Sequence, residues 1–243
     1  MDKLYLDQHI SRQFNRELEE LRNKVMTMGG MVEEMVGDAM RALEEGDADL
    51  GEAVVEADHR VNELEKEIDE QCNLVIARRQ PAASDLRLIL SIIKTITDLE
   101  RVGDEAEHIG RMVVRLADTD RPASNYRELT GLGDHVRRML QEALDGFARM
   151  VPEVAVRLIR EDRKVDQEYD SILRQYYSYM IEDPRTIRRV LDAIWIARSL
   201  ERIGDHAKNI GEYTIYLVEG RDLRHVSPDE LENQLLGGEE QPD

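Results

Sequence analysis

Apolar residues recur every three or four positions along most of the chain. Leu99, Val102, Ala106, Ile109 and Val113 fall on one stripe at about 100° per residue, and Leu200, Ile203, Ala207 and Ile210 draw the same stripe later in the sequence. No stretch alternates with the period of two that a strand requires. Breakers fall at long intervals: Gly46-Asp47 with Gly51, Gln80 to Ser84 around Pro81, Asp118 to Asn125 around Pro122, Val151-Pro152, and Glu182-Asp183-Pro184. Six long helices fit between them, of about 30 residues and therefore about 45 Å each at 1.5 Å per residue. Asp183 ahead of Pro184 reads as an N-cap followed by proline at the first helical position, and Ser84 and Ser124 read as caps after the other turns.

Sliding the chain along itself exposes an internal repeat. VEEMVGDAMRAL, from Val32, matches VRRMLQEALDGF, from Val136, and Asp58-His-Arg-Val61 matches Asp162-Arg-Lys-Val165 at the same spacing. DLERVGDEAEHIG, Asp98 to Gly110, matches SLERIGDHAKNIG, Ser199 to Gly211, at a spacing three residues shorter. A unit of three helices is far longer than a solenoid repeat, which cannot bury its own face. The expected fold class is all-α: two tandem antiparallel three-helix bundles, at 1–120 and 124–219, followed by an acidic tail at 220–243.

Charge narrows the function. Fifty-two Asp and Glu against 33 Lys and Arg leave the chain at −19. Such an excess repels phosphate backbones and anionic lipid, so nucleic acid is not an expected partner, and it raises the local concentration of cations. The apolar runs, such as Leu88–Ile93, are too short for a membrane span, and the N-terminus lacks the apolar core of a signal peptide, so the chain is expected in the cytoplasm. Cys72 is the one cysteine and reads as a small buried hydrophobe. Met26, Met28, Met31, Met35 and Met40 read as core filler, and Trp195, Tyr176, Tyr177 and Tyr179 as packing internally or at a subunit interface.

Candidate chemistry lies in rows of carboxylates. Glu100, Asp104 and His108 stand at i, i+4 and i+8, with Asp104 nearly opposite the apolar stripe; Glu201, Asp205 and Asn209 repeat the row. Asp58 with Asn62, and Asp162 with Asp166, form rows on the preceding helices. Rows meeting between adjacent antiparallel helices would place three or four oxygens around one cation, of the class that includes Mg²⁺, Mn²⁺, Ca²⁺ and iron. Such spacing is also what a solvated helix face shows in so acidic a protein. Like charges at i, i+4 destabilise a helix, however, and the penalty recurs in both halves, which favours a bound cation; Arg101 and Arg202 are the other available counter-charges. Gly103 and Gly204 sit mid-helix beside the rows, at a cost of about 1 kcal/mol each relative to alanine, as if a neighbour needs the space.

The segments LERVGDEAEHI and LERIGDHAKNI, with ADHRVNELE and EDRKVDQEYD upstream, resemble the PhoU family of phosphate-uptake regulators over nearly the whole chain. The resemblance implies tandem three-helix bundles whose Glu/Asp-x-x-x-Asp motifs hold metal ions or iron clusters: Asp58-x-x-x-Asn62 with Glu100-x-x-x-Asp104, and Asp162-x-x-x-Asp166 with Glu201-x-x-x-Asp205. Asn62 departs from the pattern. Its neutral amide predicts weaker binding in the first half unless His108 or Glu107 compensates. The resemblance further implies a cytoplasmic negative regulator without catalytic chemistry, acting between a phosphate ABC transporter and a phosphate-sensing histidine kinase, and expected as a homodimer.

Two other readings stand beside it. Glu56-x-x-His59 and Glu105-x-x-His108 carry the Glu-x-x-His spacing of carboxylate-bridged di-iron enzymes, although the second half has neither histidine. The third reading is a helical adaptor whose carboxylates bind no metal. No nucleophile, triad or phosphate loop is visible; Gly131-Leu-Gly133 has neither the preceding strand nor the lysine of one.

Overall fold

A computed structural model describes residues 12–117, 126–221 and 230. It contains the expected six long helices, and no strand among the described residues: α1 (Arg12–Glu45), α2 (Ala48–Arg79), α3 (Ala83–Ala117), α4 (Arg127–Arg149), α5 (Val154–Glu182) and α6 (Ile187–Glu219), with a single 3₁₀ turn at Pro184–Thr186. None is long and apolar enough to cross a membrane.

The turns follow from local chemistry. Asp47 caps α2 by accepting from Leu50 N at 3.0 Å, and Asp183 accepts from Arg185 N ahead of Pro184. Gly46 and Gly220 end α1 and α6 at φ 69°. Ser84 does not cap: α3 already begins at Ala83. Gly51, read as a breaker, lies inside α2, where a side chain would meet Gly110 O of α3. Ser124 and the tail, apart from 220, 221 and 230, lie outside the described residues.

Within each half the three helices pack on one another. Beyond that, α3 packs on α6 and α1 on α4, so the two halves meet in a central four-helix layer with α2 and α5 outside it. One continuous cluster of buried side chains runs through both halves, including Leu99, Val102, Ala106, Leu200, Ile203 and Ala207, each fully buried. Complete burial of such side chains stabilises by about 1.5–3 kcal/mol apiece. Met28, Met35 and Met40 are in this core, with Met26 and Met31 packed against it. Cys72 is buried too, and its thiol is pushed up to about 12 by burial and then by Asp69.

The halves join about a pseudo-twofold relation. Gly29 of α1 receives Leu144 of α4, while its repeat equivalent Gly133 of α4 receives Met40 of α1; a Cβ at either position would stand 2.6 Å from the opposing side chain. Along the antiparallel α3–α6 seam, Asp98 accepts from Asn209 (3.1 Å) and pairs with His206 (2.6 Å), His108 Nδ1 meets Ser199 Oγ (3.0 Å), Arg202 pairs with Glu105, and Arg115 pairs with Asp192 (2.8 Å).

Candidate cation site

Helices α2 and α3 bring Asp58, Asn62, Glu100 and Asp104 together. Gly103 provides the room: a Cβ there would lie 3.1 Å from Asp58 Oδ1. Its equivalent Gly204 admits Val165 in the same way, at 3.3 Å. Asp58 is buried, and its pKa is raised by burial and then by the charges of Asp104 and Glu107. Glu100 is also raised, by burial and then by Asp104, against the opposing pull of Arg101, with Glu65 and Asp58 adding further. The counter-charge comes from arginines on α3: Arg101 stands 3.5 Å from Glu100 and 3.6 Å from Asp104, and Arg111 pairs with Glu107. Asn62 Nδ2 donates to Asp58 Oδ2 at 2.6 Å, which leaves Asp58 Oδ1 and Asn62 Oδ1 buried without a hydrogen-bond partner. Two such orphaned oxygens are costly in a folded protein and mark a place for a missing positive charge or donor.

The second half is arranged differently. Asp162, Asp166, Glu201 and Asp205 again come near one another, but Lys208 lies among them: its Nζ donates to Asp162 Oδ2 at 2.6 Å and to Asp205 Oδ1 at 2.8 Å. Burial pulls the Lys208 pKa down, and these two hydrogen bonds outweigh it, holding the ammonium charged well above the usual lysine range. Arg198 forks onto both oxygens of Glu201 at 2.9 Å. Burial still raises Asp162 and Glu201. The repeat places Glu107 where the second half has Lys208, Thr97 where it has Arg198, Glu65 where it has Tyr169 and Asn62 where it has Asp166, so four substitutions separate a crowded acidic cleft from one that holds its own cations.

Three expectations about neighbours change. His108 turns toward α6, onto Ser199 and edge-on to the Trp195 ring at 6.1 Å, because the i+8 position has rotated past the α2–α3 cleft; it is no substitute for Asn62. Arg202 pairs with Glu105 rather than with the Glu201–Asp205 row. The di-iron motifs are dispersed: Glu56 and His59 are exposed to solvent, and Glu105 and His108 are engaged across the α3–α6 seam. Among the described residues, no three His, Cys, Asp or Glu side chains converge closely enough to hold a metal as placed. The oxygen donors of the first half fit a hard cation in charge and chemistry; those of the second half, already holding an ammonium, do not.

Sequence reasoning missed Glu65 and above all Lys208; Glu107, expected as a substitute for Asn62, does add its charge to the cleft. Glu65 was visible at i+7 from Asp58, on the same helix face as Asn62. Lys208 carried the signal of an i+3 partner to Asp205, which any exposed helix also shows.

A family model described as the PhoU domain matches residues 25–113 and 129–214, once per half. The phosphate-specific transport system accessory protein PhoU of Escherichia coli K12 is 52% identical over 238 residues, covering 98% of both chains, and a Pseudomonas putida homologue of that name is 49% identical over 98% of this chain and 93% of its own. Among solved structures, PhoU from Pseudomonas aeruginosa superposes with a TM-score of 0.83 at 50% identity, covering 86% of this chain and all of that one. The phosphate transport system regulatory protein PhoU from Streptococcus pneumoniae superposes at 0.80 with 28% identity, over 86% of this chain and 99% of its own. With both halves matched and half of all positions shared over nearly full length, this chain belongs to the PhoU family.

Proposed function

We propose that this chain is a cytoplasmic, non-catalytic negative regulator of phosphate uptake and of the phosphate-starvation response. It acts as a homodimer, through contacts with a phosphate ABC transporter and a phosphate-sensing histidine kinase. The observation that carries the reading is the near full-length identity to proteins named as accessories of phosphate-specific transport. Deleting the gene in its host should leave phosphate uptake high in phosphate-rich medium. Uptake that still falls to the wild-type rate would reject the regulatory role.

Within that role, cation binding falls to the first half. Asp58, Asn62, Glu100 and Asp104, with Glu65 and Glu107 alongside, take a divalent cation such as Mg²⁺ or Mn²⁺, or iron. The orphaned oxygens of Asp58 and Asn62 support this assignment. Lys208 serves the second half as a built-in cation, so the order of affinity expected from Asn62 alone is reversed. A bound cation would neutralise the carboxylates that now raise one another's pKa and would fix α2 against α3.

A further inference from the structure

The outward side of the α3–α6 seam differs in charge from the rest of the molecule. In a chain of net charge −19, six arginines of these two helices are exposed, Arg101, Arg111, Arg115, Arg188, Arg198 and Arg202, against Glu219 at the far end of α6 and the half-exposed Asp104 and Asp205, which are engaged by Arg101 and Lys208. Arg115 and Arg202 each lie over a buried carboxylate. Arg115 is 53% exposed over an Asp192 that is 6% exposed, and Arg202 is 44% exposed over a Glu105 at 7%. Guanidinium groups therefore form the outer layer and carboxylates the inner one.

Between them runs an apolar row. Ile187, Leu191 and Trp195 follow one another at four-residue spacing along α6, and all three are exposed, Trp195 at 53%. Its ring meets His108 of α3 edge-on, and the Arg115–Asp192 pair brings Arg115 alongside Leu191. Tyr177 and Ile181, at the end of α5, add two more exposed apolar side chains beside the same turn. Trp and Arg together are the side chains that most often anchor protein interfaces.

We propose that this face docks an acidic amphipathic helix of another protein, with Trp195 as the central anchor. Apolar residues at i and i+4 of the partner helix would lie along the Ile187–Leu191–Trp195 row, and carboxylates on either side would meet the exposed arginines. A second copy of this chain fits poorly, because an isologous contact would bring this arginine-rich layer against an equally positive layer. An anionic bilayer is repelled by the net charge of the whole. The proposal deepens the regulatory reading and rests on it only for the existence of a protein partner.

Trp195 is the chain's one tryptophan, so its emission reports on this face alone. The probe is a synthetic 18-residue helix with Leu at i, i+4 and i+8 and Glu flanking them, added to the full-length protein. The expected result is a saturable blue shift of Trp195 emission, weakened at least about tenfold in Arg188→Glu and in Leu191→Glu and further weakened by salt. Both positions are exposed, and unchanged thermal melts confirm that each variant is folded. The same peptide with Lys in place of Glu should give no shift. Equal binding of the Lys peptide, or no response to the Glu peptide, overturns the proposal. So does a shift produced by vesicles containing anionic lipid and not by the peptide, or one that follows protein concentration alone and thus reports a second copy. None of these failures would alter uptake in the gene deletion, which tests the regulatory reading separately.

Discussion

Asp58 and Lys208 show how much one residue decides in a repeated fold. In the first half a buried carboxylate oxygen of Asp58 has no hydrogen-bond partner, and in the second the ammonium of Lys208 donates to Asp162. Replacing Glu100 with Gln, or Asp58 with Asn, removes like-charge repulsion and should raise cation-free stability by about 0.5–1.5 kcal/mol while reducing the thermal shift produced by Mn²⁺. A loss of stability in metal-free melts would show that these carboxylates are paired internally. Lys208→Met should act in the opposite sense. It leaves Asp162 buried without its partner and should cost about 1–3 kcal/mol, and added Mn²⁺ should recover part of that loss in a second, newly opened site. A Lys208→Met variant whose Mn²⁺-induced thermal shift is no larger than the parent's would contradict the account.

The pH dependence follows from the same groups. Asp58 and Glu100 have pKa values raised above their ordinary 3.8 and 4.5, so the folded state binds their protons more tightly than the unfolded chain does. Cation-free stability should therefore rise as pH falls from neutrality through the raised values, and the gain is complete only below the ordinary ones. Glu100→Gln should flatten this rise, which separates it from the general relief of net charge; melts between about pH 5 and about pH 7.5 would measure it. Glu100 and Asp104 were legible because the repeated LER-x-GD core marked them twice, and Asp58 and Asn62 because the upstream segments ADHRVNELE and EDRKVDQEYD repeat as well. Lys208 was not, because its partner across the cleft, Asp162, is 46 residues away and only the packing of α5 on α6 brings them together.

At the scale of elements, glycine placement distinguishes close helix crossings from open faces. A Cβ on Gly110 would stand 2.7 Å from the backbone oxygen of Gly51, which no rotamer can relieve. Gly110→Ala should thus destabilise by about 1–3 kcal/mol. Gly30 and Gly131 are helical glycines with nothing within 4 Å of such a Cβ, and alanine at either should stabilise by up to about 1 kcal/mol. Urea melts of the three variants would test the contrast, and a stabilising Gly110→Ala would contradict the α2–α3 crossing. Helix number, helix limits and the spaces at Gly103 and Gly204 were legible from periodicity and from breakers. The α3–α6 seam was not. Asp98, Glu105, Ser199 and His206 carry no sign of their partners in the sequence, and their contacts follow from the second half covering the first.

For the whole molecule, the repeat predicted two bundles, and the structure joins them through one continuous core. The halves should therefore unfold together, in one calorimetric transition whose enthalpy equals the van't Hoff value. Two separable transitions would mean that the α1–α4 and α3–α6 contacts contribute little. The exposed Trp195 and Tyr177 belong to this scale as well. Aromatic side chains at those positions were expected to pack internally or at a subunit interface; α6 turns Trp195 outward while Val190, Ala193 and Ile196 face the core, and α5 turns Tyr177 outward beside the buried Tyr176.

The central claim, that this acidic helical protein restrains the phosphate-starvation response, is tested most directly by transcription from a phosphate-starvation promoter. The measurement is made in phosphate-rich medium, in a host lacking its own PhoU protein, with and without this chain restored. The account predicts high expression without the chain and repression when it is returned. Expression that is already low without it, or that stays high with the folded chain present, would contradict the account.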